Sequence, residues 1–327
     1  MEMIPSCHLL LEVSDSAHVD AVRRTVVRHA SQLTGDETLL GRLTVVVQEM
    51  ARNLINHAGQ GELLFRCDEA GLEVTAVDRG PGMTNVAQCL SDNYSTTGTM
   101  GAGLGAIQRM SDGFDLFSQP GLGTVVQARF HLGQRPAAGA LQVGAVCTPY
   151  PGETLSGDAW AVLGNRVLVC DGLGHGHAAS TASQKAREVF LGHDPHIPLQ
   201  ALMEQLHRAL MSTRGGAAAI AEVQPAQRQV QFCGIGNIAG SLLTDKARSM
   251  ASSNGTVGYR IGRIHTFSYP WDDSSIMILA SDGISTKLDL NAYPGLRVRH
   301  PGVIAALIHR DHKRLNDDAT VVVVKNG

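Results

Sequence analysis

The sequence predicts an α/β (α+β) protein of two domains, an α/β sandwich followed by a β-sandwich flanked by helices. The chain has 327 residues, which is too many for a single ordinary hydrophobic core. Residues 134–140 read QRPAAGA, a small, Pro- and Gly-containing stretch without periodicity, which is typical of a linker. We therefore predict domains at 1–133 and 141–327, joined by a linker at 134–140.

Helices and strands in the first half occur in the order of an α/β sandwich. A short strand, HLLLEVS, precedes helices predicted over residues 17–33 and 37–58. One face of the second helix is apolar, and Gly59 stands near its end; the apolar residues are Leu39, Leu43, Val46, Val47, Met50 and Leu54. Four strands and a short helix at 106–110 complete the half; the strands are GELLFRC, LEVTAVD, FDLFSQ and TVVQARFHL.

The second half has a different order. Two strands, AWAVL and RVLVCD, form a hairpin over Gly164 and Asn165, and helices are predicted at 178–191 and 199–212. Further strands follow, with a helix at 303–309 before the last one; they are AAAIAEV, VQFCGIG, AGSLLT, SIMILAS and ATVVVVK. Two helices between groups of strands predict a β-sandwich with helices outside.

The composition excludes several function classes. Hydrophobic residues make up 43% of the chain, and the charge balance is 27 − 30 = −3 without a basic block. Binding to nucleic acid or to a membrane surface is therefore not expected. We expect a cytoplasmic protein, because no apolar stretch has the length of a membrane span and the first residues do not read as a signal peptide. Six scattered cysteines without CxxC spacing indicate reduced thiols rather than a zinc site or disulfides.

A polar stripe on the long helix is the first candidate site. Glu49, Asn53 and Asn56 stand at positions i, i+4 and i+7, on one face of a helix. Alone, such a stripe is usually solvated, but Asp78 ends an apolar strand and leads into DRGPGM. Glycines then precede a helix, an arrangement suited to phosphate; they are Gly98, Gly101, Gly103 and Gly105. Together the three features predict a nucleotide site.

The segments QEMARNLINHAGQG, DRGPGM and STTGTMGAGLGAIQRMSDGFDLFSQPGLGTVV resemble the nucleotide boxes of the GHKL ATP-binding superfamily, and most closely its RsbT-type switch-protein serine kinases. The resemblance implies ATP and Mg²⁺ as cofactors. It implies that Glu49 is the base for the acceptor hydroxyl, that Asn53 holds Mg²⁺ and that Asp78 accepts from the adenine amino group. Gly80 and Gly82 would shape the adenine pocket, and the four loop glycines would bind the phosphates.

Aspartates at strand ends form the second candidate site. The hairpin turn residues sum to 164 + 165 = 329, and so do Asp158 and Asp171, which predicts that these two face each other with Cβ atoms about 5 Å apart. Two such carboxylates repel unless a cation lies between them. Asp282 ends another strand, while Asp317 and Asp318 open the last one. A single strand-end aspartate is usually a turn residue, but this set predicts an oxygen-only site for Mg²⁺ or Mn²⁺.

The segments SGDAW, CDGLGHG, GNIAG, SDGIS and NDDATVVV resemble the metal-dependent protein phosphatase (PPM) family, in its compact SpoIIE/RsbX-type branch. The resemblance implies a two-metal centre that hydrolyses phosphoserine or phosphothreonine. Its ligands would be Asp158, Asp171, Asp282 and Asp317, with Asp317 preferred over the adjacent Asp318 and the Gly172 carbonyl as a further ligand. His175 and His177 are left without a role, because a loop or a helix start explains them at least as well. This branch lacks the arginine-bearing N-terminal segment of larger family members, and Arg214 is only a weak candidate for recognition of the substrate phosphate.

The two resemblances together imply a bifunctional bacterial signalling enzyme of partner-switching stress regulation. The first half would phosphorylate Ser or Thr on a STAS-domain antagonist or stressosome-type protein, and the second half would remove the phosphate. The alternative is an ATP-loaded anti-sigma-type module that sequesters a partner, with an appended phosphatase. The segment DNYSTTGTMGAGLGA favours the kinase, and production of ADP would distinguish the two.

Overall fold

The structure is a computed structural model that describes residues 7–68, 71–90, 103–133, 141–244 and 246–327. It contains two compact units. One takes the described residues of His8–Ala137 together with Val298–Leu307, and the other takes those of Ala138–Arg297 together with Ile308–Gly327. The predicted linker at 134–140 lies outside the described residues, so the boundaries 1–133 and 141–327 stay predictions.

The first unit packs helices against an antiparallel sheet, as the predicted α/β sandwich requires. Its elements in chain order are β1 (Leu9–Val13), α1 (Ser16–Ser31), α2 (Glu37–Asn53), β2 (Gly61–Asp68), β3 (Gly71–Val77), α3 (Val86–Leu90), α4 (Gly103–Met110), β4 (Gly113–Gln119) and β5 (Gly123–His131). In the described residues the strands form one sheet in the order β1-β2-β3-β5-β4. All predicted strands of this half are present.

Local capping and apolar periodicity explain the two long helices. The Asp15 carboxylate accepts from the backbone N–H groups of Ala17 and His18 at the start of α1, and Asp36 caps α2 by accepting from Leu39 N–H. Such side chains satisfy donors that a helix start leaves without partners. The predicted apolar face of α2 is buried in the core between helices and sheet.

The long helix changes its geometry where the sequence predicts an uninterrupted α-helix to residue 58. α2 ends at Asn53, and a π-helical turn covers Leu54–Ala58 before Gly59 at φ 79°. A π-turn spaces its hydrogen bonds five residues apart instead of four. The α-helical spacing that puts Asn56 on the face of Glu49 and Asn53 therefore does not continue past Asn53, and Asn56 is exposed.

The second unit is a sandwich of two antiparallel sheets with helices outside. Its elements are β6 (Leu141–Thr148), β7 (Asp158–Leu163), β8 (Arg166–Gly172), α5 (Gly176–Leu191), α6 (Leu199–Leu210), β9 (Gly216–Gln224), β10 (Gln229–Ile235), β11 (Ala239–Leu243), β12 (Ala247–Met250), β13 (Gly255–Thr256), β14 (Arg260–Ile261), β15 (Phe267–Pro270), β16 (Ile276–Ala280) and β17 (Ala319–Asn326). Helix α7 (Pro301–His312) belongs to the first unit up to Leu307 and to the second from Ile308. The described strands form sheets β15-β10-β9-β8-β7 and β12-β11-β16-β17-β6, with a small hairpin of β13 and β14.

Two apolar layers hold this unit together. Val167 and Val169 of β8 pack toward Leu279 of β16 and Val322 of β17 in the core between the sheets. The alternate residues of β8 point the other way, and Leu168 packs with Phe190 of α5 and Leu206 of α6. β8 is therefore apolar on both faces, as a strand between a second sheet and a layer of helices must be. The carboxylate that ends it stands at the edge of this core.

The α7 helix begins two residues before the predicted range and ends three residues after it, whereas β6 and β12–β15 were not predicted. β6 is rich in small residues and follows the predicted linker directly. β12 to β15 are only two to four residues long, too short for a period-two pattern to be recognised. In the described part of the chain, no helix has both the length and the apolar character to cross a membrane.

Candidate functional site

The first site is built on α2 and the start of α4. A Cβ atom at Gly103, the first residue of α4, would lie 3.4 Å from Oδ1 of Asn53 and 3.8 Å from Oε2 of Glu49. The predicted base and metal ligand therefore lie on one face of α2, against the N-terminus of a glycine-led helix. Arg52 donates to Glu49 Oε1 at 3.1 Å. This ion pair is on the accessible side of α2, so Glu49 keeps contact with solvent.

Asp78 is held in a fixed orientation after β3. Its Oδ1 accepts from Gly80 N–H at 2.8 Å and from Thr124 N–H at 3.1 Å. Gly80 lies against Ala58, because a Cβ atom at position 80 would be 2.7 Å from the Ala58 Cβ. Gly82 has φ 71°, and a Cβ atom there would lie 1.9 Å from the Gln119 carbonyl oxygen. The two glycines predicted to shape a pocket are thus sterically required beside the carboxylate.

The hydroxyls of Ser118 and Thr124 support this loop and were missed by the sequence analysis. Ser118 Oγ accepts from Met83 N–H at 2.9 Å and lies 2.9 Å from Thr124 Oγ1. Both follow the DRGPGM segment by more than 30 residues. The pairing of β5 with β3 brings Thr124 beside Asp78, and the pairing of β4 with β5 places Ser118 opposite Thr124. Of the predicted phosphate loop, Gly103 and Gly105 belong to α4, whereas Gly98 and Gly101 lie outside the described residues.

The second site begins with the hairpin of β7 and β8. Asp158 pairs with Asp171, which confirms the predicted register. Asp158 is 1% exposed; its Oδ2 accepts from Ser281 Oγ at 2.6 Å. Burial raises the pKa of Asp158 to about 7. Burial, and then repulsion from Asp158 and Asp282, raise the pKa of Asp171 to about 9, because the charged form loses hydration and meets like charges.

Three further aspartates converge from the ends of β16 and β17. Asp282 is within hydrogen-bond reach of both Asp171 and Asp317, and its Oδ2 accepts from Asn237 Nδ2 at 2.6 Å. Asp318 is buried, and its Oδ1 accepts from Tyr150 N–H at 2.9 Å. Burial raises the pKa values of Asp317 and Asp318. Asn237, which belongs to the GNIAG segment, is a supporting residue without a predicted role.

Glycines allow these strand ends to approach closely. A Cβ atom at Gly283 would lie 1.8 Å from the Asp318 carbonyl oxygen, and one at Gly172 would lie 2.1 Å from the Ala179 carbonyl oxygen. Gly172 N–H donates to the Gly157 carbonyl at 3.0 Å. A side chain at 283 would therefore push the Asp282 segment away from the Asp318 segment, and one at 172 would push the end of β8 away from α5. This explains why the two Asp-Gly pairs, 171–172 and 282–283, end apolar strands.

The donor set fits divalent cations. Within the described residues, Asp158 Oδ1 and Asp318 Oδ2 are buried oxygens without a hydrogen-bond partner, and a buried carboxylate oxygen of this kind is costly unless a cation or proton neutralises it. Oxygen-only ligands suit Mg²⁺ and Mn²⁺. No three His, Cys, Asp or Glu side chains of the described residues form a ready-made metal-binding group. The carboxylates would therefore have to turn toward the cations.

The histidines next to this site lie at the start of α5. His175 is exposed and stacks on Tyr150, with ring centroids 4.5 Å apart, while its Nδ1 lies 3.3 Å from Glu153 Oε1. His177 is exposed in the first turn of α5. Neither side chain contacts Asp158 or Asp171 in the hydrogen bonds of the described residues, so both stay outside the predicted ligand set.

Comparison with known proteins identifies the first unit. The model of the histidine kinase-like ATPase domain matches residues 13–130. The serine/threonine-protein kinase RsbT of Bacillus subtilis (strain 168) is 32% identical over 127 residues, which are 38% of this chain and 93% of RsbT. The chain belongs to the RsbT family of serine/threonine-protein kinases.

In this RsbT-family chain the second unit has its own relatives. The model of stage II sporulation protein E (SpoIIE) matches residues 164–326. The phosphoserine phosphatase RsbX of B. subtilis (strain 168) is 23% identical over 140 residues, which are 41% of this chain and 70% of RsbX. A solved structure from work on the bacterial stressosome, a modular system adapted to control secondary messenger signalling, is 26% identical, with a TM-score of 0.52 over 57% of this chain and 99% of that one.

These comparisons confirm both predicted resemblances, the fold class and the joining of a kinase-like ATPase domain to a SpoIIE-type phosphatase domain in one RsbT-family chain. A bifunctional signalling protein follows from this organisation. The roles of individual residues stay predictions.

Proposed function

We propose that this RsbT-family protein transfers the γ-phosphoryl group of ATP to a serine or threonine of a partner protein and hydrolyses phosphoserine or phosphothreonine with its second unit. The observation that carries the proposal is the presence of both constellations in one chain. Glu49 and Asn53 face the glycine-led start of α4, and five aspartates meet at strand ends around unpartnered oxygens.

In the kinase unit, each side chain has a distinct task. The Asp78 carboxylate accepts from the adenine amino group, since Gly80 and Thr124 already fix its orientation. Asn53 would hold Mg²⁺, which would supply positive charge to the phosphates. The Glu49 carboxylate takes the proton of the acceptor hydroxyl while that oxygen attacks the γ-phosphorus and ADP leaves. Phosphoryl transfer needs positioning, charge neutralisation and a base more than covalent help.

In the phosphatase unit, Asp158, Asp171, Asp282 and Asp317 would hold two divalent cations, with Asp318 and the Gly172 carbonyl beside them. The cations, when bound, would activate the attacking water and neutralise the phosphate charge. Ser281 and Asn237 orient two of the carboxylates by donating to Asp158 and Asp282. The glycine at 283 lets the Asp282 segment approach the Asp318 segment, and the glycine at 172 lets the end of β8 pack against α5.

The partner is a STAS-domain protein of the antagonist or stressosome type in this proposal. The resemblance to RsbT-type kinases and RsbX-type phosphatases implies such a partner, and one similar solved structure comes from work on the bacterial stressosome. The chain would then act in partner switching in the cytoplasm, without nucleic acid or membrane.

Incubation with ATP, Mg²⁺ and a STAS-domain protein encoded in the same genome tests the kinase. We expect ADP and a phosphorylated partner to form in equal amounts when the phosphatase is inactivated. Tight binding of the partner by the ATP-loaded chain without ADP would instead support an anti-sigma-type sequestering module.

Removal of metal is expected to make the stability of the phosphatase unit fall as the pH rises. Asp158 and Asp171 have pKa values of about 7 and 9 in the folded chain, whereas an unfolded aspartate titrates near 4. The folded state therefore holds protons that the unfolded state releases, and stability declines between about pH 4 and 9. Divalent cations replace these protons, so the Mn²⁺-dependent rise in melting temperature should be larger at pH 8 than at pH 6.

The melting temperature is measured in chelator and in Mn²⁺, without nucleotide, because the kinase unit also binds metal with ATP. Saturation at 100 times the dissociation constant corresponds to about 2.7 kcal/mol of stabilisation. Asp273→Asn is the matched control, since Asp273 is exposed before β16, at the opposite end of that strand from Asp282. It should keep the shift that Asp171→Asn loses. An equal Mn²⁺ shift in Asp171→Asn would contradict the ligand assignment.

A further inference from the structure

We propose that Arg214 binds the phosphate group of the phosphatase substrate and that the exposed apolar side chains around it receive the protein segment that carries this phosphate. We call this set, Arg214 with Leu173, Met211 and Tyr259, the Arg214 surface. The inference rests on the proposed phosphatase function and assigns to Arg214 the recognition of the substrate phosphate.

The backbone places Arg214 next to the carboxylate site. It lies in the loop between α6 and β9, and β9 pairs with β8 so that Gly216 is opposite Gly172 and Ala217 is opposite Asp171. Leu173 N–H donates to the Gly215 carbonyl at 2.9 Å. The loop that carries Arg214 is therefore fixed to the loop that leaves the metal-binding end of β8.

The guanidinium itself reaches over this loop. A Cβ atom at Gly174 would lie 3.3 Å from Nη1 of Arg214. Gly157 lies between Gly174 and Asp318. A Cβ atom at Gly157 would be 3.3 Å from the Gly174 carbonyl oxygen and 2.6 Å from the unpartnered Oδ2 of Asp318. The Arg214 guanidinium and the Asp318 carboxylate therefore border the same two glycine segments, at Gly174 and Gly157.

Charge explains why an arginine is useful there. Five ionised aspartates would carry one more negative charge than two divalent cations supply (5 − 4 = 1), so a phosphate dianion gains from a further positive group beside the site. Arg214 is exposed, and among the described residues it has no hydrogen-bond or ion-pair partner. A guanidinium binds two phosphate oxygens in a planar fork. Without an internal carboxylate to satisfy, Arg214 can give all its donors to a ligand.

Exposed apolar residues lie on the segments next to Arg214. Leu173 is 57% exposed, Met211 65% and Tyr259 82%. The bridge between Gly216 and Val257 ties the β13–β14 hairpin, with Tyr259 in its turn, to the loop of Arg214. Exposed large apolar residues on segments beside an arginine suit a phosphorylated polypeptide better than a small phosphate ester.

The test separates phosphate binding from polypeptide binding. Arg214→Ala should raise the KM for both p-nitrophenyl phosphate and serine-phosphorylated casein, and the Ki of inorganic phosphate, by roughly 10- to 100-fold, as expected for charge-assisted hydrogen bonds. Its kcat should change little, because ground-state binding is lost, and Arg214→Lys should recover part of the affinity. Tyr259→Ala and Met211→Ala should raise the KM for casein alone.

Arg228→Asn is the control for loss of a positive charge. Arg228 lies in the turn beyond Gln224, at the end of β9 remote from Gly216, and asparagine tolerates its φ of 51°. It should behave as the wild type. If the wild type is active and Arg214→Ala leaves the KM and Ki values unchanged, the inference is overturned but the phosphatase proposal stays intact. Loss of the Mn²⁺ thermal shift in Arg214→Ala would also overturn it, as that result indicates a role in the metal site. A wild type that hydrolyses neither substrate with Mn²⁺ would overturn both.

Discussion

Asp171→Asn is expected to abolish dephosphorylation and to leave phosphorylation intact. Asp171 faces Asp158 across the hairpin and lies in reach of Asp282, so it is central to the predicted metal site. Loss of a partner that only orients a metal ligand costs 10- to 100-fold, and loss of a ligand should cost at least about 100-fold. The measurement is hydrolysis of a phosphoserine protein with Mn²⁺, together with phosphorylation of the partner from ATP.

Stability distinguishes this effect from misfolding. The amide carries no charge and removes repulsion within the aspartate cluster, so the metal-free Asp171→Asn protein should melt at a higher temperature than the metal-free wild type at pH 8. Asp273→Asn should retain full activity. Wild-type hydrolysis by Asp171→Asn would contradict the assignment of this site, and so would full activity of the wild type in excess chelator.

Glu49→Ala is expected to bind ATP normally and to lose phosphoryl transfer by about 10²- to 10⁴-fold, the usual contribution of a general base. Glu49 lies on α2 beside Asn53, facing the start of α4, where a phosphate and an acceptor hydroxyl would meet. ATP affinity and partner phosphorylation are measured in an Asp171→Asn background, so that the phosphatase does not remove the product. Glu37→Ala, which removes an exposed charge from the first turn of the same helix, is the matched control.

Asp78→Asn should fail one step earlier, by losing ATP binding itself. An amide at this position presents N–H donors where the adenine amino group also donates. The two variants therefore separate binding from chemistry in one kinase unit. Full kinase activity in Glu49→Ala, or normal ATP affinity in Asp78→Asn, would refute the corresponding role.

The sequence alone predicts those parts of the sites that depend on local spacing. The apolar stripe of α2 places Glu49 and Asn53 on one face, and the two-residue turn at 164–165 sets the register that opposes Asp158 to Asp171. In both cases a short-range rule, helical periodicity or hairpin pairing, determines the geometry. The fold class follows from the same rules and from the order of the elements.

The other features of the two sites depend on tertiary structure, which local spacing does not determine. The π-turn at Leu54–Ala58 is not signalled by the pattern of apolar residues, which continues through Leu54 and Ile55. Support of Asp78 by Thr124, and of Asp158 by Ser281, links residues 46 and 123 positions apart. Arg214 and Gly174 are 40 positions apart in the sequence. The pairing of β8 with β9 brings them together.

Opposing activities toward one partner are the central claim, and a time course of phosphate transfer tests it most directly. The full chain is incubated with γ-labelled ATP, Mg²⁺, Mn²⁺ and the purified STAS-domain protein, and phosphorylated partner and released phosphate are followed together. We predict that the wild type releases phosphate in many-fold excess over partner, that Asp171→Asn accumulates phosphorylated partner, and that Glu49→Ala clears pre-phosphorylated partner. The claim would be contradicted if the phosphatase unit hydrolyses phosphorylated casein but does not dephosphorylate the partner that the kinase unit has phosphorylated.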